Sequence, residues 1–184
     1  MLFRRRCTGF AISLAVLLAG CVAPYDEQTD EAISALQQET DAEIVRLITL
    51  DHKIGALSAQ DVSNQATLTA VCTTVPPGNA ALADACGKAS YDQNTDFYDK
   101  FDTDLTSLKL RLDAAPDAST PSLDNLLTQL RNIVLSPQGG LKSLHAKRVV
   151  LNESALTSTR APLNALFQTL LRYELNLKNG KSTS

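Results

Sequence analysis

Acid–base chemistry near neutral pH would fall to two side chains in this sequence, His52 and His145, because imidazole is the group whose ordinary pKa lies in that range. The two fall on different predicted helices, and His145 reads as a partly buried or surface helical residue rather than a ligand. The residues three before them are Thr49 and Lys142, so the Glu-x-x-His pairs of a di-iron bundle are absent. So are the H-E-x-x-H pattern of zinc enzymes, the C-x-x-C-H of covalent haem and the G-x-S-x-G elbow of serine hydrolases. Carboxylates are frequent, and Asp96, Asp99, Asp102 and Asp104 crowd one segment together with Lys100 and Lys109. This mixture reads as a solvated helix face, since glycoside hydrolysis needs two carboxyls across one cleft. Gly139-Gly140 lacks the G-K-[ST] context of a phosphate loop and reads as a helix break. These residues predict no catalytic centre, no metal ligands and no cofactor. A recognition surface is a different matter. In a chain with only 5% aromatic residues, Tyr91, Phe97, Tyr98 and Phe101 cluster. Tyr98 and Phe101 belong to an apolar stripe, while Phe97 falls beside it and is a candidate interface residue.

The elements that must position these groups are helical, for no run of alternating β-branched residues is present. A first helix is predicted to start between Asp26 and Asp30, where acidic residues suit the positive helix terminus. Its apolar residues Ile33, Leu36, Ile44, Leu47, Ile48, Ile54 and Leu57 recur at three-and-four spacing, with Thr40 filling a gap. Gly55 and Ser58 weaken it, and residues 59–73 continue or restart it until Pro76-Pro77. A second helix is expected over 91–114 on Tyr91, Tyr98, Phe101, Leu105, Leu108 and Leu112, stopped by Pro116. The third follows Pro121 with Leu123, Leu126, Leu127, Leu130, Ile133 and Val134. Ser136-Pro137-Gln138-Gly139-Gly140 interrupts it, and 141–150 resumes as a shorter piece. The last carries Leu163, Leu166, Phe167, Leu170, Leu171, Tyr173 and Leu177. It starts either at Thr159 with Pro162 in its first turn, or near Ser154 with a kink at the proline. The fold class expected is all-α, an antiparallel up-and-down bundle of about four long helices, with a helical hairpin array as the alternative.

Ahead of this domain, Arg4-Arg5-Arg6 precede an uncharged apolar run from Phe10 to Leu18. That is the plan of an export signal, and the run is shorter than the roughly 20 residues needed to span a bilayer. Leu18-Ala19-Gly20-Cys21 resembles the lipobox of bacterial lipoproteins. The resemblance implies that residues 1–20 are a signal peptide removed before Cys21, that Cys21 carries a thioether-linked diacylglyceryl group, and that two or more acyl chains anchor the protein stably. Residues 21–25 then form the lipidated linker, 26–178 the helical domain and 179–184 a flexible tail. Val22 in place of aspartate after the lipidated cysteine implies the periplasmic leaflet of an outer membrane.

With Cys7 removed and Cys21 acylated, Cys72 and Cys86 remain. An exported chain meets an oxidising compartment in which two leftover cysteines usually join, and Val75-Pro76-Pro77-Gly78-Asn79 could turn the chain between them. A metal site or redox pair is the competing reading. Loss of Arg4, Arg5 and Arg6 moves the formal charge from −3 to −6, which argues against nucleic acid or anionic headgroups as main ligands.

Tyr25-Asp26, Thr29-Asp30, Leu36-Gln37, Phe97-Tyr98-Asp99, Arg111, His145 and Leu171-Arg172-Tyr173-Glu174 resemble a group of small helical exported lipoproteins of uncharacterised role. That likeness brings no active-site residues with it. The expectation is a non-enzymatic, membrane-anchored envelope protein whose helical domain binds a protein partner or supports an envelope assembly. The alternative is a periplasmic small-ligand carrier or sensor with an apolar pocket between helices.

Overall fold

The computed structural model describes residues 26–114 and 121–179. Among them the regular structure is helical: α1 (Glu27–Ser58), α2 (Gln65–Thr73), α3 (Ala80–Ala89), α4 (Thr95–Ala114), α5 (Pro121–Leu135), α6 (Leu141–Arg148) and α7 (Glu153–Lys178), with a 3₁₀ turn at Tyr91–Gln93 ahead of α4. Cys21, the signal and the tail from Gly180 lie outside the described residues.

The start of α1 is fixed by Asp26. Its carboxylate accepts from the Gln28 N–H at 3.1 Å and from the Thr29 hydroxyl at 2.7 Å, satisfying an amide that the helix leaves unpaired. Buried positions then follow at three-and-four spacing: Thr29, Ile33, Leu36, Thr40, Ile44, Leu47, Asp51 and Ile54. Thr40 fills its gap without leaving a polar group orphaned, since its hydroxyl donates to the Leu36 carbonyl at 2.6 Å. Ile48 and Leu57 are only half-buried.

Gly55 does not break α1. The helix runs to Ser58 and stops at Ala59, which is left-handed at φ 54°. A side chain at Gly55 would meet Val62 Cγ2 at 3.0 Å, so the glycine lets the returning segment lie close. The chain restarts as α2, where the Asn64 side chain accepts from the Ala66 N–H at 2.8 Å.

Two differences from the expected elements have local causes. A helix, α3, follows the 75–79 turn in a stretch where no helix was expected, and Asn79 caps it by accepting from the Leu82 N–H at 3.1 Å. The helix expected from 91 begins at Thr95 instead. Asn94 is buried at the junction and donates to the carbonyls of Lys88 (3.0 Å) and Ser90 (2.6 Å), which holds Tyr91–Gln93 in the 3₁₀ turn. Of the two starts considered for the last helix the early one occurs, with Pro162 inside α7.

The long helix α1 packs against α7, α3 and α4, and α5 packs against α4, α7 and α6. The main core draws Ile33, Ile44, Tyr98, Phe101, Leu130 and Phe167, among others, from α1, α4, α5 and α7. A smaller core sits where α2 and α3 cover the end of α1, around Ile54, Leu68, Leu82 and Val150. Val149, beside that core, has φ 66° and ψ −47°, a strained backbone for a β-branched residue. Its carbonyl accepts the Tyr91 N–H at 2.8 Å, which ties α6 to the 3₁₀ turn.

Candidate functional site

His145 is fully buried, at 0% exposure. The reading of it as a partly buried or surface residue is corrected: α6 is short and inserts that face between α3 and α4. Its Nε2 lies 2.9 Å from the Ala89 carbonyl and its Nδ1 lies 2.8 Å from the Tyr98 hydroxyl. A carbonyl can only accept, so Nε2 carries the proton and the Tyr98 O–H donates to Nδ1. Both nitrogens are then satisfied in the neutral ring. Burial pushes the His145 pKa below the ordinary histidine value, and burial likewise pushes the Tyr98 phenol well above its own. Tyr91 closes the group edge-on against His145, with centroids 5.8 Å apart. A histidine held neutral with both nitrogens occupied is a packing and registering element that joins α3, α4 and α6.

His52 lies in a different setting. It is exposed, and its Nε2 pairs with the Glu153 carboxylate at 3.0 Å across the α1–α7 junction, which raises its pKa. Beside it Asp51 is buried, and its Oδ2 accepts the Glu153 N–H at 2.7 Å, capping the start of α7. Its Oδ1 is the one buried side-chain oxygen or nitrogen without a hydrogen-bond partner among the described residues. Desolvation raises the Asp51 pKa above the usual carboxylate value. Asp51 escaped notice in the sequence, although it occupies the stripe position between Leu47 and Ile54.

Glu174 is the second overlooked acid, and it follows Leu163, Phe167 and Leu170 on the buried stripe of α7. It is 2% exposed and faces Asp26 and Asp30 of α1. Burial first, and those two carboxylates second, push its pKa up to about 7. The same end of the molecule holds Arg111, whose Nη1 donates to Gln28 Oε1 at 2.8 Å. It also holds Lys109, bonded to Asp124 in the first turn of α5 at 2.6 Å.

Cys72 and Cys86 stand at disulfide distance, with sulfurs 2.01 Å and Cα atoms 5.4 Å apart. The bridge joins α2 to α3. Phe97 is half-buried and packs on the main core, its ring 5.1 Å from that of Tyr98 and 6.3 Å from that of Phe101. The crowded acids of α4 stand on the surface in ion pairs: Asp99 with Lys142, Asp102 with Arg131, and Asp104 with Lys100. Among the described residues no group of three or more histidine, cysteine or acidic side chains is placed to hold a metal ion. The groove between α1 and α7 is polar, crossed by the two-point Arg160–Asp41 pair at 2.5 and 2.8 Å and flanked by Gln37, Gln168 and Asn164.

No protein-family model, no curated protein and no solved structure matches this chain.

Proposed function

We propose that this protein is a lipid-anchored component of the bacterial cell envelope, tethered through Cys21 in the periplasmic leaflet of an outer membrane, whose helical domain binds a protein partner or supports an envelope assembly without catalysing a reaction. The observation that carries the reading is the Cys72–Cys86 bridge. A structural disulfide belongs to an oxidising compartment, and with those two sulfurs bonded to each other the cysteine behind the apolar run is left for acylation. The helix α1 starts at Glu27, six residues after Cys21, with Asp26 as its cap.

In this reading the four long helices run up and down as an antiparallel bundle. The contacts Arg111–Gln28 and Lys109–Asp124, with Glu174 against Asp26 and Asp30, favour it. They gather the starts of α1 and α5 with the ends of α4 and α7. The non-enzymatic reading is supported by the imidazoles: His145 is sealed in a neutral hydrogen-bonded state, and exposed His52 is held in an ion pair with Glu153.

Metabolic labelling with an alkyne fatty acid in intact cells tests the anchor. Label is expected on the parent and is lost in Cys21→Ala; label retained by that variant overturns the assignment. Complementation of a deletion tests the role. His52→Ala restores the phenotype and Cys21→Ala does not, because a tethered binding module depends on the effective concentration its anchor provides. Failure of His52→Ala with folding and lipidation intact would point to catalysis.

A further inference from the structure

We propose that the end of the helical domain at which α1 begins docks on the surface of the lipid bilayer, seating Leu110 and Leu175 at the boundary between headgroups and acyl chains. The proposal rests on the reading that Cys21 carries the lipid. Its own support is where the exposed apolar side chains lie. Leu110 at 65% and Leu175 at 49% are the most exposed large hydrophobic residues of the described chain. One is four residues from the end of α4 and the other three from the end of α7. Both helix ends meet the start of α1, through Arg111–Gln28 and through Glu174 against Asp26 and Asp30. The helices α4 and α7 each pack against α1 and α5, so what the two leucines share is that end of the molecule.

The length of chain before α1 selects the occupant. Val22, Ala23, Pro24 and Tyr25 separate Cys21 from Asp26, and five residue steps reach at most about 18 Å even when fully extended. The 32 residues of α1 extend about 48 Å in the other direction. A domain held on so short a tether keeps this end within about 18 Å of the anchor.

Charge selects the kind of surface. Lys109 at this end is bonded to both Asp113 and Asp124, and Glu174, Asp26 and Asp30 lie together at the same end, so the charge here does not single out an anionic headgroup. A zwitterionic bilayer entered by apolar side chains fits better. Half-buried Tyr173 adds a ring with an apolar body and a polar tip, the type enriched at membrane–water boundaries.

The chain contains no tryptophan, so one introduced indole reports one position. Full-length lipidated protein carrying Leu110→Trp, Leu175→Trp or, as a control midway along α1, Val45→Trp is reconstituted in phosphatidylcholine vesicles with brominated acyl chains. Indoles at 110 and 175 are expected to shift to the blue and to be quenched at least about twice as strongly as at 45, since interfacial side chains sit about 5–10 Å into the boundary. Equal quenching at all three positions, or none at 110 and 175, on protein that mass spectrometry shows to be acylated at Cys21 overturns the docking while leaving the anchor intact. Absence of acylation at Cys21 removes the tether and overturns both.

Discussion

At the scale of single residues, the groups that matter most are the polar ones the core has enclosed. Replacing His145 with alanine empties a fully buried site and leaves the Tyr98 hydroxyl and the Ala89 carbonyl without partners. A loss of about 2–4 kcal/mol in denaturant unfolding is expected, whereas Tyr98→Phe costs about 1–2 kcal/mol by orphaning only Nδ1. Glu174 and His145 give stability a pH dependence of opposite sign. Glu174 has a folded pKa of about 7 against an ordinary 4.5, so its contribution is fully present below about 4.5 and is lost as pH rises through 7, an effect on the order of 3 kcal/mol. His145 has a folded pKa below the ordinary 6.5, so it costs stability as pH falls below that value, where the unfolded chain takes up the proton. The two offset each other in the parent between about 4.5 and 6.5. In Glu174→Gln the decline above about pH 6.5 should shrink, and the loss below that pH, which Glu174 offsets in the parent, should emerge. An unchanged decline would show that another group sets it. Sequence alone displayed His145, but not that its surroundings hold it neutral, because the partners Tyr98 and Ala89 come from elements 47 and 56 residues away.

Among the elements, those with long apolar periodicity were legible and the short capped ones were not. The stripes of α1, α4, α5 and α7 could be read from leucine and isoleucine spacing, because burial on one face demands that spacing whatever the neighbours are. The helix α3 was hidden. Ala80–Ala89 has small residues in place of a stripe, and its start depends on a single cap, Asn79. The 3₁₀ turn was hidden for a related reason: Asn94 competes for backbone carbonyls that a continuous helix would have left to the main chain. Leu108, 1% exposed in the middle of α4, tests the main core. Leu108→Asp buries a charge without a partner and should cost about 4 kcal/mol or more, and near-parent melting would mean that α4 presents another face. The Cys72–Cys86 bridge spans 14 residues, and closing a loop of that length is worth about 3 kcal/mol in the chain-entropy model. Reduction should therefore lower stability by about that amount and leave the main core, which shares no residue with the bridge, helical by circular dichroism.

For the molecule as a whole, the sequence conveyed an all-helical chain and two cores sharing α1 were the part it withheld, since only the packing separates Ile54 from Ile44. The candidate site was less legible than the fold. Cysteine placement pointed to an anchor and a bridge, whereas the gathering of helix ends around Glu174 is a property of tertiary structure. The most extensive packing of α1 is against α7, whose first residue comes 95 positions after the last residue of α1. A chain that emerges amino end first therefore makes its longest helix early and receives the cover for it last. During that interval Ile33, Leu36, Ile44 and Leu47 stand open to solvent, and isolated helices have little stability of their own in water. A polypeptide ending before Glu153 should be captured by chaperones or proteases, while addition of α7 as a separate peptide should restore protease resistance. Synthesis of this protein thus has a window of vulnerability whose length is set by the distance in sequence between its first helix and its last.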